Sequence, residues 1–194
     1  MYLFFLLLSL FIHTPEFDNT DISYFNIVRN KKTIGELTVV KTRKNGLTTY
    51  TSTTHLNVRL LHKVNVFYRV EVDMQHDQLY AASVIIEVNG KVHDRTETTR
   101  IEDKYLIEHK GKKKEAAITI DYPEILLLFQ EPVGFAASFS EKTGNFHSLH
   151  AVGEHAYKKI NPKGRENYYY YKDGKLQRAE VDAGLIQFEI VLQR

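Results

Sequence analysis

Alternation of apolar and polar residues dominates the chain. From Val64, one parity holds Val64, Val66, Tyr68, Val70, Val72 and Met74, and the other holds Asn65, Phe67, Arg69, Glu71 and Asp73. A period of two is that of a half-buried antiparallel strand. The last segment repeats it, with Ile186, Phe188, Ile190 and Leu192 set against Gln187, Glu189 and Gln193. Asn45-Gly46, Asn89-Gly90 and Asp173-Gly174 are dipeptides of two-residue hairpin loops, because a type I′ turn needs positive φ twice. The pattern predicts strands near 22–30, 33–44, 47–59, 63–74, 79–89, 91–101, 104–110 and 112–119. A second set follows near 146–152, 155–160, 167–172, 175–182 and 185–193.

A strand over 64–74 reaches roughly 36 Å at about 3.3 Å per residue, about twice the usual length. Strands that long accumulate twist, and a meander of them coils. The expected fold is therefore mainly all-β: a long-stranded antiparallel meander curled into a half-barrel or open barrel. One segment reads differently. Asp121-Tyr122-Pro123-Glu124 has a capping acid, a first-turn proline and an acid near the positive end of a helix dipole. Ile125-Leu126-Leu127-Leu128-Phe129 follows and Pro132 ends it. This predicts one short helix near 122–130, apolar all round and hence buried in the hollow of the sheet.

The first fifteen residues carry no charged side chain, and Tyr2 to Ile12 is an almost unbroken apolar run. As a helix it reaches roughly 17 Å, short of a hydrocarbon core of about 30 Å. It reads as a secretory signal over 1–15, followed by a single β-rich domain over 16–194, so the protein is expected to be exported, periplasmic or extracellular. Its flanks are atypical: only the Met1 amino group is basic, and no small-x-small cleavage site follows. The alternative is a buried first strand or an uncleaved anchor.

Composition narrows the chemistry. There is no cysteine, so disulfides, thiolate metal sites and cysteine nucleophiles are excluded. A formal charge of +2 gives no reason to expect a nucleic-acid partner. Gly-x-Ser-x-Gly and the phosphate-binding glycine loop are both absent. Lys142-Thr143-Gly144 matches one piece of the penicillin-recognising serine enzymes, but no serine has lysine three residues on. Glu131 and Glu141 read as local structural contacts rather than catalysts. No catalytic residue, cofactor or enzymatic activity is therefore expected.

Several stretches resemble an uncharacterised family of exported β-rich proteins from Gram-negative bacteria, a domain of unknown function. They are Lys32 to Val39, Tyr122 through Gln130-Glu131-Pro132, Phe139 to Phe146, and Tyr168 to Gly174. The resemblance covers nearly all of the chain after the signal and implies no catalytic residue. The expected architecture is also similar, in fold only, to the open curled sheet of periplasmic lipoprotein carriers, which hold acyl chains against a helix.

Three constellations remain. His147, His150 and His155 lie close in sequence, but in a strand only His147 and His155 share parity, which makes them a weak metal pair. In Tyr168 to Tyr171, alternate tyrosines face opposite ways, so one pair enters the core. In an up-and-down meander the turns at 29–32, 59–63, 89–91 and 110–114 fall at one end. There Lys31, Lys32, Lys63, Lys112, Lys113 and Lys114, with Arg29, Arg59, Lys91 and Lys110, form a basic rim. Such a rim suits anionic head groups and peripheral contact with an anionic membrane. Residues expected to line the hollow are Val66, Tyr68, Val70, Val72, Ile125, Leu128, Phe129, Phe188 and Ile190. The expected function is non-catalytic binding of an apolar or amphipathic ligand such as lipid in the cell envelope. The alternatives are an envelope interaction module without a ligand and, less favoured, a hydrolase.

Overall fold

The computed structural model describes residues 19–59, 63–184 and 186–193. The segment read as a signal, 1–15, lies outside the described residues.

Strands β1 (Asn19–Arg29), β2 (Lys32–Lys44), β3 (Leu47–Arg59) and β4 (Lys63–Gln75) open the meander, continued by β5 (Gln78–Val88), β6 (Lys91–Ile101), β7 (Lys104–His109) and β8 (Lys112–Ala116). After a crossing segment, β9 (Ala137–Ser140), β10 (Asn145–Gly153), β11 (Ala156–Ile160), β12 (Glu166–Lys172), β13 (Lys175–Asp182) and β14 (Gln187–Leu192) complete one sheet. The spatial order is β8-β7-β6-β5-β4-β3-β2-β1-β14-β13-β12-β11-β10-β9, antiparallel throughout. The expected class is therefore observed. The β1–β14 ladder, Phe25 opposite Leu192 and Ile27 opposite Ile190, joins the two halves into one meander.

Turn chemistry sets the register. Asn45-Gly46, Asn89-Gly90 and Asp173-Gly174 all take positive φ at both positions, as a type I′ turn requires. Asn30-Lys31 and His76-Asp77 do the same without glycine. Gly35 serves a close approach instead: a Cβ there would run into the His55 carbonyl oxygen, beside the bulge between Ile27 and Val28.

Long strands roll the sheet until its ends overlap. The β9–β10 turn lies against the inner face of β6–β8: Thr96 Oγ1 donates to the Lys142 carbonyl at 2.8 Å, and Gly144 sits on Ile107. Among the described strands β8 and β9 remain edges, so side chains rather than a ladder close the roll.

Strand direction sorts the turns into two ends. The mouth carries the turns at 30–31, 89–90, 110–111, 141–144, 161–165 and 183–186. The base carries 45–46, 76–77, 102–103, 154–155 and 173–174. Residues 117–136 cross the interior and plug the base. Leu79 N–H donates to the Ile120 carbonyl, and the Tyr171 hydroxyl to the Leu127 carbonyl at 2.8 Å. Phe129 meets Tyr50 edge-on, and the Glu131 N–H reaches the Gly174 carbonyl.

The expected helix near 122–130 is corrected. Its residues form a five-residue 3₁₀ turn, Glu124–Leu128, started by Pro123 with no side-chain cap rather than by Asp121, which is exposed. A proline at each side leaves too little chain for several α-turns. A parallel bridge from Pro123 to Phe139 and the Tyr122 carbonyl bonded to Phe139 N–H hold Tyr122–Pro123 extended. Ile125, Leu126 and Leu127 are buried all the same.

Candidate functional site

Beyond the plug, the interior is not wholly apolar. Glu124, the first residue of the 3₁₀ turn, points at β10 and β11. Its Oε1 pairs closely with Lys159 Nζ, and its Oε2 lies 3.1 Å from His147 Nδ1. Lys159 is 4 % exposed, His147 6 % and Glu141 5 %. Cross-strand register explains why they converge. Lys159 opposes Leu149, two residues beyond His147 on the same face of β10, and His147 opposes Ser138 on β9. Glu141 follows β9 directly and accepts from the Ile125 N–H at 2.9 Å. Tyr169 adds its ring, with Lys159 Nζ 5.9 Å from the centroid.

Two carboxyls share this interior and their affinities for protons split. Burial alone would raise Glu124, but the Lys159 ammonium and the His147 ring outweigh it and hold the carboxyl well below the usual range. Glu141 has no cation of its own. Burial first, and then the Glu124 charge, push its carboxyl up to about 8, so it is protonated at neutral pH. Burial would lower Lys159, and the Glu124 charge more than restores it upward. The Tyr68 hydroxyl is raised by burial and by Glu124 and Glu141, which places it in the field of the same group. At neutral pH the set thus holds one ion pair and one neutral acid.

Not every polar atom is satisfied within it. Among the described residues, Glu124 Oε2, both ring nitrogens of His147 and Ser138 Oγ are buried without a hydrogen bond, since the Glu124–His147 approach has ion-pair distance but not hydrogen-bond alignment. Buried polar groups are nearly always bonded, so this concentration makes the group the candidate site of the interior.

The residues expected to line the hollow divide in two. Val70, Val72 and Ile125 are buried in the packed interior, with Leu128 and Phe129 half-buried against it. Val66, Tyr68, Phe188 and Ile190 lie toward the mouth and are half-buried, with Leu56 and Val181 beside them. The basic rim residues share the mouth as strand polarity requires. Lys31, Lys32, Lys63 and Lys112 are exposed, with no ion pair among the described residues. Lys113 pairs with Glu108 at 3.3 Å, and Lys110 lies 3.8 Å from Asp94. Lys114 belongs to the seam rather than the rim, donating to the Gly144 carbonyl at 2.7 Å. Open grooves of about 490 Å³ near Val92 and Lys110 and about 530 Å³ along Val28, Tyr168 and Glu180 lie at the rim and outside of the sheet.

The weak metal pair is not brought together. His147 is interior, whereas His155 sits in the β10–β11 turn at the base, 2.9 Å from Glu131. No group of three metal-ligating side chains occurs among the described residues. Of the tyrosines, Tyr169 and Tyr171 are inside, while Tyr168 and Tyr170 bond Glu166 and Glu180.

Sequence reasoning missed the Glu124–Lys159–His147–Glu141 group. Lys159 stands in Ala156-Tyr157-Lys158-Lys159-Ile160, where adjacent lysines hide which one points inward. Glu124 carried the signal of a helix start and nothing more.

No curated protein matches this chain. The solved β-barrel-like protein of domain of unknown function DUF1849 from Brucella abortus is similar in fold, with TM-score 0.51 over 91 % of this chain and 96 % of that one at 12 % identity. The overall β-rich fold described above is thus similar to that of a β-barrel-like protein. Residues 25–193, nearly the whole described region, match one family model. The chain belongs to the DUF6134 family, a domain of unknown function.

Proposed function

We propose that this chain is a non-catalytic binding protein of the cell envelope. It takes an amphipathic, anionic ligand such as a single-chain lipid. Its apolar part lies against the mouth of the rolled sheet and its anionic group meets the rim lysines. The observation that carries this reading is the contrast between the two ends. The base is plugged by residues 117–136, while toward the mouth Leu56, Val66, Phe188 and Ile190 are half-buried on the inner face, and the same end carries Lys31, Lys32, Lys63 and Lys112, which have no carboxylate partner among the described residues. Half-buried aliphatic surface gains about 25 cal/mol for each Å² a ligand covers, and each lysine adds about 1 kcal/mol toward an anionic surface.

Calorimetric titration with dodecyl phosphate tests it. Saturable binding is expected, weakened by at least about fivefold for each rim reversal such as Lys31→Glu or Lys63→Glu, since losing about 1 kcal/mol is already about fivefold. Absence of binding by the folded protein, or affinities unchanged by the reversals, refutes it.

A further inference from the structure

The outer face of the sheet carries a feature that neither the plug nor the mouth explains. One cross-strand row runs Tyr168, Glu180, Glu189, Val28 over β12, β13, β14 and β1. Three strand spacings of about 4.8 Å make it roughly 14 Å long. Val28, the smallest side chain of the row, adjoins the β1 bulge after Ile27, where the strand bends. The row lies in the open groove of about 530 Å³, a volume within the range of small-molecule sites. Solvent reaches it directly. Tyr168 is half-buried, Gln187 is exposed, and the Glu180 and Glu189 side chains are 42 % and 45 % exposed.

We infer that this groove binds a neutral sugar, with the apolar C–H face of a pyranose ring on Tyr168 and its hydroxyls on Glu180, Glu189 and Gln187. The inference does not rest on the amphipath reading. Three observations select the chemistry. The first is the ring. The Tyr168 hydroxyl donates to Glu166 Oε2 at 2.6 Å, which fixes the phenol at the groove, and a tyrosine offers a flat surface, apolar in body and polar at its tip. Tyr170, next on that face, instead gives its ring to Arg178, 4.6 Å from the centroid. The second is the supply of hydrogen bonds. Glu180 and Glu189 receive Arg178 on their Oε1 atoms, leaving each Oε2 an open acceptor among the described residues. The Gln187 amide adds both a donor and an acceptor, and sugar hydroxyls answer both kinds.

The third is charge. Arg178 already neutralises Glu180 at 2.7 Å and Glu189 at 3.2 Å, and Lys158 neutralises Glu166 at 2.9 Å. A cationic ligand therefore competes with cations the chain supplies itself. An anion would lie against Glu180, Glu189 and Asp182. A methylated ammonium calls for an aromatic cage, and the groove contributes one ring. A neutral polyol displaces no ion pair.

A glycan array carrying neutral, acidic and amino sugars, probed with the tagged full chain, tests the assignment. Neutral glycans should be retained, and calorimetric titration with the best-retained neutral disaccharide should then rank three variants. Tyr168→Ala should weaken binding about tenfold through loss of the ring face. Tyr168→Phe keeps the face and should stay within about twofold of the natural chain. Gln187→Ala should weaken binding about fivefold, as one hydrogen bond is lost. The array needs no variant to fold, and Tyr168→Phe separates loss of stacking from loss of the bond to Glu166. Retention of no glycan, or of acidic or amino sugars alone, overturns the inference. So does a folded Tyr168→Ala that binds the disaccharide as tightly as the natural chain.

Discussion

Lys114 on β8 donates to the Gly144 carbonyl at 2.7 Å, and this contact joins the two ends of the fourteen-strand order. The same ammonium reaches Asn145 Oδ1 at 3.2 Å, and Thr96 holds the turn from β6. Gly144 has φ +63°, and a Cβ there would lie 2.7 Å from Ile107 Cγ2. Gly144→Ala therefore combines a left-handed backbone with overpacking. It should cost about 1–3 kcal/mol in urea unfolding. An unchanged midpoint would mean the seam is slack.

The buried Glu141 makes stability depend on pH with an unusual sign. Its folded-state carboxyl holds its proton up to about 8, while the unfolded chain releases it near 4.5. Between those values the native state binds more protons, so stability falls as pH rises, by up to about 1.4 kcal/mol per pH unit. Glu141→Gln keeps an oxygen for the Ile125 N–H and removes the ionisation. Thermal melts from pH 5 to pH 8 should fall steadily for the natural chain and more shallowly for the variant, their slopes differing by about one proton's worth. Parallel curves would show that Glu141 ionises freely.

Lys159 and Glu124 act as a pair. Lys159→Met leaves a carboxylate without its cation in the interior, which costs about 3–5 kcal/mol. Adding Glu124→Gln removes the stranded charge and should recover most of the loss. A double-mutant cycle by denaturant unfolding checks this. Additive losses would show that the two side chains do not meet.

Tyr171 ties the plug to β12 through its hydroxyl on the Leu127 carbonyl. Tyr171→Phe strands a buried carbonyl and should cost about 1–2 kcal/mol with no change of fold. Burial lifts this phenol far above its ordinary range, with neighbouring Tyr122 adding to it. Spectrophotometric titration should therefore find it un-ionised until the protein unfolds in alkali.

Much of the strand pattern was readable before folding because period two and hairpin dipeptides are local. Leu47–Arg59, Lys91–Ile101 and Lys175–Asp182 fall on the expected boundaries. The four-residue β9 escaped because Ala137-Ser138-Phe139-Ser140 is too short to show a period. The helix expectation at 122–130 failed on a competition that propensity does not see: Phe139 captures the Tyr122 carbonyl, leaving room for one 3₁₀ turn only. The polar interior was invisible for another reason. Glu124, His147 and Lys159 meet through three separate backbone registers, and none of their local neighbourhoods marks an inward charge. Val70 and Val72 are buried on the face that period two turns inward, but parity does not say which end of a strand is packed and which is half-open.

A hoop riveted by a few side chains differs from a welded one. Since Lys112–Ala116 and Ala137–Ser140 share no backbone ladder, the girth of this protein is fixed by Lys114, Thr96 and the Gly144–Ile107 contact. Slipping that clasp sacrifices a handful of bonds and leaves all thirteen ladders intact. The circumference is then the cheapest dimension of the molecule to alter, and strain on the hoop would open the clasp before it unpicked any strand.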